Sequence, residues 1–181
     1  MVKSFQNFEF KARTSDLHSL EQKVRALRHR FVGEDKQVDT YFNVASGRLK
    51  LRKGNIENAL IYYERANTAD AKESRILLYE HKPNDSLSEI LAKTLGIKVV
   101  VEKVRRIYFI ENVKFHFDTL TSLGTFVEVE AIDLDRNTSI GELETQCRKY
   151  GDFLGIKETD LVSASYSDLI LESNKEKYLR T

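Results

Sequence analysis

The alternation of polar and apolar residues between Asn112 and Ala131 is the feature that most restricts the fold. Successive side chains of a β-strand point to opposite faces, so this alternation predicts strands with two different faces. The segment reads as a hairpin whose polar faces carry Lys114, His116 and Asp118 on the first strand and Glu128 and Glu130 on the second. Three carboxylates this close repel one another unless cations lie among them. If only these two strands carried charge in this way, the charged face could simply be a solvent-exposed outer surface.

The missing cations lie on other segments that alternate in the same way. Strands are predicted at 7–13, on both sides of a turn at 45–47 within 37–53, and at 60–65, 75–80 and 97–110. A polar loop is expected at 66–74. Because most connections are short, the strands are expected to pair antiparallel. On one face of these strands the charged residues are Glu9, Lys11, Lys50, Arg52, Arg65, Lys103 and Arg105.

Three helices are predicted from apolar stripes with a spacing of three and four residues. The first stripe runs from Leu17 to Phe31 and follows N-cap candidates at 14–16. The second helix occupies 87–95, with Ser86 and Glu89 as a capping box and Gly96 as the C-cap. The third runs from Ile140 to Leu154, with a capping box at Ser139 and Glu142 and a stop at Gly155. The tail adds a short element at 159–171.

Length and charge exclude several classes of protein. A chain of 181 residues with 41% hydrophobic and 31% charged residues fits one globular domain, 1–181, with a frayed end at 172–181. The net charge of +1 argues against a nonspecific nucleic-acid binder. The single cysteine, Cys147, excludes an internal disulfide and is expected to fill the core. No leader-like N-terminus or apolar run of about 20 residues is present, so a cytoplasmic protein without a membrane segment is expected.

These elements predict an α+β protein built on an eight-stranded antiparallel β-barrel, closed or nearly closed. Because charge follows one face of most strands, we expect a polar, charged interior, with the helices packed on the apolar outside. Buried charges without partners each lose several kcal/mol of hydration. Two explanations remain open: the inward charges all pair with one another, or the cations bind a polyanion that a divalent metal bridges to the carboxylates. Lys and Arg suit phosphate oxygens, and Mg²⁺ prefers a few carboxylates together with substrate phosphates.

Several motifs, in the same order along the chain, resemble those of the CYTH superfamily. This superfamily contains class IV adenylyl cyclases, thiamine triphosphatases and inorganic triphosphatases. The bacterial branch labelled class IV adenylyl cyclase is the most similar. The matching segments are Asn7–Arg13, Asp39–Phe42, Gly47–Arg52, Tyr62–Arg65, Lys103–Arg105, Asp118 with Gly124–Glu130, and Ala164–Leu169. No single motif is decisive, but together they span nearly the whole chain.

The resemblance implies a triphosphate tunnel that is open at both ends and uses Mg²⁺ or Mn²⁺. The implied metal ligands are Glu9, Asp118, Glu128 and Glu130. The implied phosphate-binding residues are Lys11, Lys50, Arg52, Arg65, Lys103 and Arg105. The implied catalytic residues are Glu9, Lys11, Glu128 and Glu130. A homodimer is compatible with the family.

One position departs from the family pattern. The family motif Glu-x-Glu-x-Lys begins here with Asn7 instead of glutamate. A neutral amide oxygen binds a divalent ion more weakly than a carboxylate, so two-metal chemistry is in question. The resemblance implies a metal-dependent enzyme that acts on a small-molecule triphosphate such as ATP, tripolyphosphate or thiamine triphosphate. Cyclisation of ATP to cyclic AMP and pyrophosphate is the favoured reaction, triphosphate hydrolysis is an alternative, and a non-catalytic polyphosphate or nucleotide sensor is another.

Overall fold

The protein is described from a computed structural model that covers residues 2–65, 72–134 and 137–179, without the side chains of 2, 65, 72, 73 and 177–179. Most of the loop expected at 66–74 lies outside these residues. The strands are β1 (Val2–Arg13), β2 (Arg30–Phe42), β3 (Arg48–Lys53), β4 (Ala59–Arg65), β5 (Lys72–Glu80), β6 (Ile97–Ile110), β7 (Val113–Leu120) and β8 (Gly124–Ile132). The helices are α1 (Leu17–Arg25), α2 (Asp85–Leu95), α3 (Ile140–Leu154) and α4 (Tyr166–Leu179), with a 3₁₀ turn at Glu158–Asp160.

Within the described residues, eight strands form a closed barrel in the order β1-β5-β4-β3-β2-β6-β7-β8. Every neighbouring pair is antiparallel, and β8 closes the barrel against β1. In that closing pair Glu9 lies opposite Glu130, and Lys11 lies opposite Glu128. The predicted α+β fold with a closed antiparallel barrel is therefore confirmed.

The main hydrophobic core lies outside the barrel wall, as predicted. Apolar residues of β1, β7 and β8 pack against α1 and α3, and the largest include Phe8, Phe10, Phe115, Phe117, Val129, Leu143 and Leu154. Cys147 is fully buried in this core, and its thiol lies 2.9 Å from the carbonyl oxygen of Phe8. Because the strands place their apolar faces under the helices, their charged faces turn inward.

A second core at one end of the barrel holds the start of α4. Tyr166 packs edge-on against Phe126, with the ring centroids 5.1 Å apart, and Tyr41 and Val101 belong to the same cluster. The Tyr166 hydroxyl donates a hydrogen bond to Asp118 at 2.8 Å. Helix α4 then continues to Leu179, through residues for which a frayed end is expected. Among the helices of the described segments, none combines the length and apolar composition needed to cross a membrane.

Two details of the helix predictions are wrong. Helix α1 ends at Arg25, and Phe31 instead lies in β2, where it pairs with Tyr108 of β6. Leu27 and Phe31 have helical spacing, but pairing between β2 and β6 determines the structure at Phe31. The N-cap of α2 is Asn84, whose side chain accepts a hydrogen bond from the Ser86 amide, instead of Ser86 itself. The capping box and the C-cap predicted for α3 are confirmed.

The position of the main core makes a prediction about stability. Leu143 of α3 is fully buried against the barrel, so Leu143→Ala should lower the free energy of unfolding by about 2–5 kcal/mol. The same substitution at Leu134, which is 61% exposed, should change it by less than about 0.5 kcal/mol. Chemical denaturation of both variants measures the difference. Equal losses would contradict a core that lies outside the barrel.

Candidate active site in the barrel interior

The barrel encloses a cavity of about 470 Å³ whose lining is rich in both signs of charge. Its cationic side chains are Lys11, Lys50, Arg52, Lys103, Arg105 and Lys114. Its acidic side chains include Glu9, Asp39, Glu57, Glu128 and Glu130. A cavity of this size is in the usual range for small-molecule sites, which is about 300–1,000 Å³.

The structure brings together most of the side chains expected in the site. Eight of them line the cavity: Glu9, Lys11, Lys50, Arg52, Lys103, Arg105, Glu128 and Glu130. Asp118 is fully buried behind the cavity wall, where its carboxylate binds Arg105 at 2.7 Å and Tyr166 at 2.8 Å. Arg65 belongs to β4, but its side chain lies outside the described residues.

Asp39 of β2 holds three of these cations together. Its carboxylate is 1% exposed and accepts hydrogen bonds from Arg52 Nε at 2.8 Å, Lys103 Nζ at 2.8 Å and Lys50 Nζ at 3.1 Å. Burial alone would raise the pKa of Asp39, but the charges of Arg52, Lys103 and Lys50 hold that pKa well below its usual range. We call these four residues the Asp39 cluster. It keeps three cations at one carboxylate within the barrel.

Lys103 shows how densely charge is packed in this cluster. Burial lowers its pKa to about 7; Asp39 opposes the shift, and the neighbouring cations Arg52 and Arg105 add to it. An ammonium group in this position gains from any further negative charge in the cavity. The cluster is therefore suited to bind an anion with several charges.

Glu128 of β8 organises a second group of cations. Its carboxylate accepts a hydrogen bond from Arg105 at 2.5 Å and forms an ion pair with Lys11 at 3.1 Å. His116 Nδ1 lies 3.2 Å from the same carboxylate. Burial, together with the charges of Arg105 and Lys114, lowers the pKa of His116 to about 3, so the ring is neutral and donates its Nδ1–H to Glu128.

Glu9 and Glu130 form an acidic pair beside these cations. They lie opposite each other in the β1–β8 ladder, and the side-chain amide of Asn7 donates hydrogen bonds to both carboxylates. Burial raises the pKa of Glu130, and the charge of Glu9 contributes to the shift. Asn7 is itself fully buried. The amide at this position thus links two carboxylates that would otherwise repel each other.

The acidic pair fits a divalent ion better than the full set of four implied ligands does. Asp118 and Glu128 are occupied by Arg105, whereas Glu9 and Glu130 face each other across one ladder. No group of three or more His, Cys, Asp or Glu side chains within the described residues is arranged to hold a metal ion by itself. Mg²⁺ commonly uses one or two carboxylates and takes its other ligands from water and substrate phosphates. Glu9 and Glu130 would supply two such carboxylates.

Sequence reasoning missed Glu57 and Asp35, which build one wall of the cavity. Glu57 lies in the β3–β4 loop and binds Arg52 at 2.8 Å and Lys114 at 2.5 Å. Buried Asp35 fixes this loop by accepting the backbone N–H groups of Ile56 and Glu57 at 2.8 and 3.0 Å. A loop has no alternation, so the strand pattern did not reveal Glu57. Asp39 was also missed as a site residue. In the second half of β2 it is the only charged residue on its face, so no row of charges marked that face as part of the site.

The described residues thus form a closed antiparallel barrel whose cations and carboxylates face a central cavity. The profile of the CYTH domain matches residues 6–166. The chain therefore belongs to the CYTH domain family. A comparison with curated protein sequences finds no significant match.

Solved structures support the same fold. The PH1012 protein from Pyrococcus horikoshii is 25% identical with a TM-score of 0.77, and the match covers 90% of this chain and 98% of that one. A proposed adenylate cyclase from Vibrio parahaemolyticus is 18% identical with a TM-score of 0.74, over 91% and 97% of the two chains. The adenylyl cyclase candidate HpAC1 from Hippeastrum, described with a dominant triphosphatase activity, is 14% identical with a TM-score of 0.50, over 81% and 88%.

The Asp39 cluster leads to a second prediction. Asp39→Asn should lower the free energy of unfolding of the ligand-free protein by about 3–5 kcal/mol, because it removes the carboxylate that balances Lys50 and Lys103 and leaves Arg52 with Glu57 alone. Tripolyphosphate should restore more stability to this variant than to the wild type, because it supplies negative charge at the same place. Thermal denaturation with and without tripolyphosphate measures both effects.

Asp85→Asn is the matched control, since this exposed carboxylate binds only Lys53, at 2.8 Å, in the described contacts. The control should change neither the stability nor the response to tripolyphosphate. An Asp39 variant that behaves like the control would refute the role of the cluster.

Proposed function

We propose that this protein is a divalent-metal-dependent phosphohydrolase that cleaves a triphosphate bound inside the barrel. The observation that carries the proposal is that one cavity is lined both by the Asp39 cluster, with its three cations, and by the Glu9–Glu130 pair. The cations favour the phosphate chain, and the two carboxylates favour a metal ion that binds the same phosphates.

The chain's own residues would act by binding and orientation. Lys50, Lys103 and Arg52 would exchange part of their contact with Asp39 for phosphate oxygens, and Arg105 and Lys11 would do the same from Glu128. These fixed charges would stabilise the negative charge that develops on the phosphoryl oxygens during transfer. Glu9 and Glu130 would hold the metal ion, which neutralises phosphate charge when it is bound.

Hydrolysis requires only the phosphate chain and water. Water attacks the terminal phosphorus, the bond to the bridging oxygen breaks, and the products are orthophosphate and a diphosphate. The activity stated for the Hippeastrum protein agrees with this reaction but concerns a chain that is only 14% identical.

Cyclisation of ATP is the second candidate. It is favoured by the tyrosines on either side of Lys50, whose Nζ lies 5.5 Å from the ring centre of Tyr41 and 5.7 Å from that of Tyr63. Aromatic rings of this kind can stack on a base. The fold shared with the Vibrio protein is compatible with either reaction.

Product analysis distinguishes the candidates. The purified protein is incubated with tripolyphosphate, and separately with ATP, in Mg²⁺ or Mn²⁺ and in EDTA. Orthophosphate from tripolyphosphate that disappears in EDTA supports the phosphohydrolase. Cyclic AMP with pyrophosphate would establish the cyclase instead. Binding of tripolyphosphate without any product would identify a sensor.

The acidic pair provides a third prediction. Glu130→Gln should lower metal-dependent turnover ~100-fold or more, because it removes a charged metal ligand. Folding should be preserved, since the substitution relieves repulsion between Glu130 and Glu9 in the metal-free protein. Turnover at a series of Mg²⁺ concentrations and thermal denaturation measure the two effects.

Glu102→Gln is the control for this experiment, because Glu102 lies on β6 and points to solvent. It should match the wild type in both measurements. Full activity of Glu130→Gln would show that this carboxylate does not hold the metal.

A further inference from the structure

Part of the cavity lining is apolar, in contrast to the charges around it. We call this part the apolar wall, and it consists of Phe5, Ile56, Ile61, Ile76, Leu78 and Ile132. Phe5 pairs with Ile76 between β1 and β5, and Ile61 pairs with Leu78 between β4 and β5. Neighbouring strands therefore place these side chains side by side as one surface.

The apolar wall lies next to the phosphate-binding side chains. Ile61 is the direct partner of Lys50 in the β3–β4 ladder, and Ile132 is the partner of Asn7 in the β1–β8 ladder. If the phosphates of a ligand contact Lys50, the organic group at the other end of the ligand can therefore reach the apolar wall. The charged surface and the apolar wall belong to the same cavity.

The apolar wall lies apart from the two packed hydrophobic clusters, although Ile61 and Ile132 are themselves buried. None of its six residues is part of the two hydrophobic clusters formed by the described residues, which lie under α1 and α3 and around Tyr166. Ile76 and Leu78 are only partly buried, although they face the interior of the barrel. A cavity for inorganic phosphate chains alone gains nothing from apolar lining, because apolar surface left against water is unfavourable.

Several polar groups at the edge of the apolar wall bind within the protein, whereas Ser74 Oγ and His81 Nε2, which also line the cavity, have no hydrogen-bond partner among the described residues. The side-chain amide of Asn58 bonds to both backbone groups of Gly54, at 3.0 and 2.9 Å. Glu80 binds Lys3 at 2.7 Å, and His81 Nδ1 lies 2.7 Å from the Lys82 carbonyl oxygen. The six apolar side chains outnumber these two polar atoms, so this side of the cavity favours an aliphatic group.

We propose that the preferred substrate is a polyphosphate ester whose organic group is an aliphatic chain lying along the apolar wall. This inference rests on the proposed function, because the Asp39 cluster would hold the phosphates of the same molecule. Each methylene that moves from water onto the apolar wall should improve affinity about fourfold.

Calorimetric titration in EDTA tests the inference without turnover. The probes are inorganic tripolyphosphate, methyl triphosphate, hexyl triphosphate and ATP. Hexyl triphosphate should bind at least tenfold more tightly than methyl triphosphate, and more tightly than ATP. Equal affinity of the methyl and hexyl esters would overturn the inference, and so would tighter binding of ATP than of the hexyl ester.

Ile76→Ser should abolish most of the advantage of the hexyl ester while changing the affinity for tripolyphosphate less than twofold. Leu77→Ser is the matched control, because Leu77 is the next residue of β5, points outward and is 47% exposed. It should keep the full advantage. If Ile76→Ser does not fold, the comparison of esters on the wild-type protein still decides the question.

The two proposals can fail separately. Hydrolysis of tripolyphosphate without any gain from the hexyl group would overturn the aliphatic substrate and leave the phosphohydrolase in place. A strong gain from the hexyl group without hydrolysis of any triphosphate would overturn the phosphohydrolase and leave the aliphatic ligand.

Discussion

The neutralisation of cations by buried Asp39 is the interaction on which the interior of this barrel depends. Each charge removed from water costs several kcal/mol unless a partner compensates for it. Asp39 compensates for Lys50, Arg52 and Lys103 in the ligand-free protein, and Glu128 does the same for Arg105 and Lys11. The ion pairs therefore let the chain fold without a ligand and keep the cations in place. A bound phosphate chain has to compete with those carboxylates, so affinity depends on an exchange of partners.

The position of the hydrophobic core makes this interior available. Because α1 and α3 cover the apolar outer face of β1, β7 and β8, stability comes from packing outside the barrel wall. The side chains on the inner face of the barrel can therefore be charged, because the core does not depend on them. Side chains on paired strands are also held more precisely than side chains on loops, which suits a site that acts by fixed charge. The departure at Asn7 fits the same arrangement, since its amide connects Glu9 and Glu130 in the absence of metal.

The cavity combines two surfaces with different roles. In the proposed function, the Asp39 cluster would bind the phosphates and the Glu9–Glu130 pair would bind a metal ion, and many substrates share these groups. The apolar wall, on β1, β4, β5, β8 and the β3–β4 loop, would contact the organic group of the proposed substrate.

The sequence alone determined the barrel, the inward direction of most charges and the caps of α3, because strand alternation and capping are local and periodic. It misassigned Phe31 to a helix, because a spacing of three and four residues cannot reveal a distant partner strand. Only the tertiary structure decided that Asp118 is held by Arg105 behind the cavity wall, while Glu57 reaches the cavity from a loop. The tertiary structure alone also showed that Ile76 faces the cavity and Leu77 faces outward. At these positions β5 is apolar on both faces, so the alternation of residues cannot tell which face points inward. The pairing of Ile76 with Phe5 of β1 decides it.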